Sequence, residues 1–137
     1  MTSGKSLGFR ATINVPATEA IERAKAALQA EGFGVLTTID VQETMKRKLD
    51  VELDPYVILG ACNPGLAYRG LQAAPDLGLL LPCNVTVRER DGQSEVVAVD
   101  PLVMLGVADD DPEVKAVAEE AAARLRRVIA SLESGDA

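Results

Sequence analysis

The sequence predicts an α+β fold, a single antiparallel or mixed sheet with helices packed on it. Three observations carry that expectation. Leu7 to Val15 and the stretch from Cys83 to Arg90 alternate between apolar and polar residues, as strands with one buried face do. Asp91-Gly92, set between β-branched runs, is a type I′ hairpin turn. Strand-like and helix-like segments interleave in the order β-α-β-short α-β-α-β-β-short α-α. No linker, long repeat or low-complexity segment interrupts them, so all 137 residues read as one domain.

The elements follow from local chemistry. In the first strand Leu7, Phe9, Ala11, Ile13 and Val15 share one face, and Pro16 stops it. Thr18 is expected to cap a helix in which Ile21, Ala24 and Leu28 recur at helical spacing, and Gly32 ends it. Phe33 to Ile39 is rich in β-branched residues and reads as a second strand. Asp40 caps a short helix from Val41 to Lys48, whose basic last turn suits the helix dipole without needing an anion. Tyr56 to Ala61 is a continuous apolar run, the pattern of a strand buried on both faces.

Asn63-Pro64 marks the next helix start. Asparagine accepts from a free first-turn amide, and proline fits the first helical position because its missing N–H would have no partner. Leu66, Ala67, Gly70 and Leu71 form its packing face, and it ends near Ala74. Leu77 to Leu81 fits either a helical continuation or a strand. Beyond Pro82, Cys83, Val85 and Val87 face one way, and Asn84, Thr86, Arg88 and Arg90 the other. Glu95 to Val99 is the returning strand. Asp100-Pro101 starts a single helical turn that Gly106 closes. Asp111 and Pro112 open a long helix with Val114, Val117, Ala121, Leu125, Val128 and Leu132 on one stripe. It runs to about Leu132, and Ser134 to Ala137 are expected to fray.

Composition removes several classes of function. The formal charge is −7 and aromatics are 3%, which argues against a nucleic-acid partner on both electrostatic and stacking grounds. Residues 1–50 hold seven basic against six acidic side chains, and the remainder seven against fifteen. The second part is therefore an acidic, solvated surface, or one suited to a cationic partner. The start does not resemble a signal peptide and no apolar run reaches membrane-spanning length, so a cytoplasmic protein with reduced cysteines is expected. With no histidine, Cys-His and Ser-His-Asp catalysis are excluded. Asp109-Asp110-Asp111-Pro112-Glu113 has the makings of a helix N-terminus and lacks the later ligands of a calcium loop.

The remaining chemistry centres on residues 56–87, where both cysteines lie, each followed by asparagine. Cys62 precedes a helix start, where free N–H groups and the dipole stabilise a thiolate. Cys83 shares a face with valines and suits a core position. Their separation of twenty-one positions fits neither a Cys-x-x-Cys redox motif nor a zinc ribbon, and leaves a dithiol or a two-thiolate soft-metal site. Tyr56, Cys62, Asn63, Cys83 and Asn84 are the candidate binding residues. Against this stands a purely structural role for each, as buried thiols, backbone-satisfying amides and a sheet-edge hydroxyl.

Tyr-Val-Ile-Leu-Gly-Ala-Cys-Asn-Pro-Gly-Leu-Ala at 56–67, Gly-Leu-Leu-Leu-Pro-Cys-Asn-Val at 78–85 and Asp100-Pro101 resemble the Domain of Unknown Function 302 family. Glu-Gly-Phe-Gly-Val at 31–35 and the Leu-rich terminal helix agree, and the resemblance runs from about Ile13 to Leu132. It implies a single curved, mainly antiparallel sheet with helices packed on one side, in a TATA-binding-protein-like architecture. That likeness is architectural and carries no implication of DNA binding. The family supplies no activity or cofactor, and whether the protein is an enzyme stays open. The leading reading is a ligand- or partner-binding accessory module, a homodimer or larger homo-oligomer, with its site near the two Cys-Asn motifs. The alternatives are a thiol-redox or cysteine-nucleophile protein using Cys62 and Cys83, and a soft-metal-binding protein using the same two thiols.

Overall fold

A computed structural model describes residues 6–105 and 111–134. Strands β1 (Gly8–Ile13), β2 (Gly34–Asp40), β3 (Tyr56–Cys62), β4 (Cys83–Arg90) and β5 (Gln93–Val99) form one open sheet in the order β1-β5-β4-β3-β2. Every neighbouring pair is antiparallel, so the sheet is not mixed. Helices α1 (Ala17–Ala30), α2 (Val41–Leu49) and α3 (Pro64–Ala73) run between strands, and α4 (Pro101–Leu105) and α5 (Pro112–Ser134) follow β5. The ambiguous stretch near Leu77 is a 3-10 helix, Pro75–Leu80.

The core lies between one face of the sheet and two helices. Ala11, Leu59, Val85, Val87, Val96 and Ala98 point into it and meet Ala20, Ala24 and Leu28 of α1 and Leu125, Val128 and Leu132 of α5. The expected stripe of α5 is buried along its whole length. Its first turns serve a second purpose: Val114 and Ala118 pack with Leu77, and Val117 and Ala121 with Leu66. Helix α5 thus joins the sheet to the α3 region.

Three local expectations are revised. Strand β3 is not buried along the whole of both faces: Val57, Leu59 and Ala61 are buried, while on the other face Gly60 is buried but Tyr56 and Ile58 are only half-buried. The apolar run misleads because α1 and α5 cover one face of the sheet and leave Ile58 on the other. Ser134 still belongs to α5, two residues past the expected end at Leu132, and the other residues expected to fray, 135–137, lie outside the described residues. Gly106, Asp109 and Asp110 lie outside the described residues. Asp111 does cap α5, accepting from Glu113 N at 2.8 Å, and Lys46 and Arg47 pair with local carboxylates.

The third revision concerns α1. Thr18 is not its cap; the helix begins at Ala17, after Pro16, with no local side-chain cap. Glu89 of β4 accepts a hydrogen bond from Ala17 N at 2.8 Å. A carboxylate from across the fold thus satisfies a first-turn donor and faces the positive end of the dipole. At the other end Arg124 donates to Glu31 O at 3.0 Å, a cation at the C-terminus. Glu89→Ala is expected to lower stability by about 1 kcal/mol, the usual value of a lost cap. Thr18→Ala should leave it unchanged. Paired urea titrations check the contrast, and equal losses in the two variants would contradict the assignment.

Candidate functional site

The structure divides the five candidate residues among three places. Cys62 and Asn63 stand where β3 passes into α3. Asn63 Oδ1 accepts from Leu66 N at 3.2 Å, the expected cap. The same side chain packs against the turn after α1: a Cβ at Gly32, whose φ is +86°, would lie 3.0 Å from Asn63 Nδ2. Asn63 is thereby committed to holding two helix ends.

Cys83 is opposite Ala61 in the ladder, and Cys62 is the next residue along β3. The two thiols, with Phe33, Leu66 and Leu77, border one apolar cavity of about 30 Å3. Ligand pockets usually start at about 300 Å3, so this is too little for an organic ligand. Burial pushes the Cys62 thiol up from its ordinary value. Burial, and secondarily the nearby Cys62, push Cys83 up to about 11. The thiolate stabilisation expected at the helix start is outweighed by loss of water. Both shifts run against the thiolate form. Both are unbridged. Among the described residues no group of three or more His, Cys, Asp or Glu side chains is placed to hold a metal.

Asn84 is exposed on the uncovered face of β4, opposite Gly60. The ladder there has no room for a side chain on β3: a Cβ at Gly60 would overlap Thr37 Oγ1 and lie 2.9 Å from Pro82 Cγ.

Tyr56 is at the far end of β3 from the cysteines, in a cleft of about 460 Å3. Its floor is the uncovered sheet face, where Thr12, Glu95, Arg88 and Tyr56 come from four different strands. Residues 53–55 form a wall, and Arg90 reaches the same space. Arg88 stands over the Tyr56 ring at 5.9 Å from its centroid. Glu95 is held between two guanidinium groups, bonded by Arg88 and by Arg10 at 3.1 Å. Burial raises its carboxyl, but the hydrogen bonds and charges of Arg88 and Arg10 outweigh burial and hold it below the ordinary carboxylate range. Arg90 has no ion pair among the described residues.

Arg88, Arg90, Glu95 and Thr12 were not among the sequence candidates. A signal for them exists: once Asp91-Gly92 is taken as a hairpin turn, counting back from it sets Arg88 against Glu95 and Arg90 against Gln93. What the turn does not reveal is that β1 and β3 flank that hairpin.

An open five-stranded antiparallel sheet, a helical layer on one face and a charged cleft on the other define a small α+β protein. The chain belongs to the DUF302 family, described as a domain of unknown function, which it matches over residues 9–132. A solved structure described as an uncharacterized conserved protein DUF302 from Bacillus stearothermophilus is similar to it. The TM-score is 0.83 at 30% identity, covering 92% of this chain and 98% of that one. No curated protein matches. None of the described helices is long and apolar enough to cross a membrane.

Proposed function

We propose that the protein is a small-molecule binding module whose site is the cleft at the Tyr56 end of the sheet, and that its ligand is a small organic anion. The carrying observation is the combination of a cleft of about 460 Å3 with an unpaired Arg90 beside the Arg88–Tyr56 stack. That volume falls within the usual range for ligand pockets, roughly 300–1,000 Å3. Arg90 offers the fork geometry that carboxylate and phosphate groups take, and the ring offers a flat apolar seat. Of the original candidates only Tyr56 contacts ligand in this reading. Cys62, Asn63 and Cys83 hold the β3–α3 junction, and Asn84 stays at the surface. Thiol chemistry loses support because burial raises both cysteines. The unbridged thiols support a reducing, cytoplasmic setting, in which we read the protein as a homodimer. The charge of −7 keeps nucleic acid out of this reading.

Thermal-shift and calorimetric titration with a panel of small carboxylates and phosphates tests the site. At least one class should stabilise the protein saturably. Arg90→Ala should then weaken binding about 10- to 100-fold, the value of one charge-assisted hydrogen bond. No stabilisation across the panel, or binding unchanged in both Arg90→Ala and Tyr56→Ala, would refute it.

A further inference from the structure

Residues 34–53 form a strand, a helix and a return segment that bury almost nothing. In β2 only Val35 is even half-buried, and α2 has no buried residue. Among the described residues, five of the ten large apolar side chains that stand exposed come from this stretch: Leu36, Ile39, Leu49, Val51 and Leu53. Leu36 is the extra residue of a bulge and is 66% exposed; Ile39, beyond it, is 48% exposed. A well-formed strand and helix with their apolar groups in water are the pattern of a surface completed by a partner.

Strand β2 is also an edge. It pairs with β3 on one side only, and no hydrogen bond among the described residues outside the sheet ladder uses the main chain of residues 34–39. The opposite edge is guarded by charge, as edges usually are: Arg10 of β1 pairs with Glu95, and Arg126 covers Phe9 at 4.8 Å. Strand β2 between Gly34 and Ile39 has no charged residue and no proline.

We infer that β2 is the homodimer interface, and that two copies pair their β2 strands antiparallel about a two-fold axis to make one continuous ten-stranded sheet. The inference rests on the homodimer reading above and locates it. Antiparallel pairing sets the C-terminal end of one β2 beside the N-terminal end of the other. The first end is acidic, with Asp40 and Glu43 in the opening turn of α2. The second carries Arg124 and Arg127, each already paired with a carboxylate of its own copy, Glu120 and Glu31. The two-fold makes this contact twice. It also brings the exposed Leu36 and Ile39 of both copies onto one shared ladder. The segment 34–53 carries three basic and four acidic residues, so the surface offers a second copy little of the repulsion that the chain's net charge would otherwise impose.

Sedimentation across a dilution series tests it on the full chain, with circular dichroism as a check on folding. The wild type should sediment at twice the chain mass of 14.4 kDa. Ile39→Lys and, independently, Leu36→Lys should each give the single-chain mass with an unchanged spectrum, since lysine on an edge blocks strand pairing. Leu79→Lys, at an exposed leucine away from β2, should remain a dimer. A wild type that is monomeric throughout overturns both the homodimer reading and the interface. A dimer that survives in both folded β2 variants, or is lost in Leu79→Lys, overturns the interface alone.

Discussion

Leu125→Ala is expected to lower folding stability by about 2–5 kcal/mol, the range for truncating a buried leucine. Leu125 has no exposed surface and belongs to the core cluster that contains Leu28 of α1 and Leu59, Val85 and Val96 of the sheet. That cluster is mostly valine and alanine, short side chains with little reach, so the space left by the missing atoms stays largely unfilled. Since small domains are stable by only about 5–15 kcal/mol, this one change would consume a large fraction of the total. Urea unfolding should show a lower midpoint at an unchanged slope. Leu79→Ala, at a leucine that is exposed, should move the midpoint by no more than about 0.5 kcal/mol equivalent. Equal behaviour of the two variants would place the core elsewhere.

Alkaline pH is expected to remove about 3 kcal/mol through Cys83 alone. An unfolded cysteine ionises near pH 8.5, roughly, whereas burial first and the neighbouring Cys62 second raise Cys83 to about 11 in the folded protein. Below the unfolded value both states hold the proton and stability is complete. Between the two values the unfolded chain has released a proton that the native state retains, so the native state binds more protons and stability falls as pH rises. The loss levels off above the folded value. Cys83→Ala should flatten this alkaline limb, and Cys62→Ala should change it less because that thiol is only half-buried. Urea midpoints for wild type and both variants at neutral and alkaline pH give the comparison, which cancels the lysines and tyrosines common to all three. A limb equally steep in Cys83→Ala would remove Cys83 as its cause.

What the sequence reveals and conceals follows from the range of each interaction. Val85 and Val87 point inward because alternation is a property of neighbouring residues, and Asn63 and Asp111 cap because a cap reaches three residues along the chain. Thr18 looked equally well placed, but Pro16 sets the helix start two residues too early for it and a distant carboxylate does the work. The apolar run of β3 suggested burial on two faces because local pattern carries no information about how many layers a sheet receives. The Cys-Asn motifs drew attention as rare residue types, and rarity does not report concavity: the cavity at the cysteines is about 30 Å3 and the cleft at Tyr56 about 460 Å3. That cleft is built from four strands whose spatial order is fixed only when the sheet closes its register.

The carboxylate of Glu89 at the start of α1 bears on the order of events in folding. A helix end is ordinarily the place that opens first and independently. Here the amide of Ala17 waits for a partner 72 residues later in the chain, so the first turn of α1 cannot be fully secured until the β4–β5 hairpin is laid down. The contact spans about half the sequence, a separation that slows assembly but binds two remote pieces into one cooperative unit. Fraying at the start of α1 and loosening of the end of β4 are therefore a single opening, shared between the helical layer and the sheet.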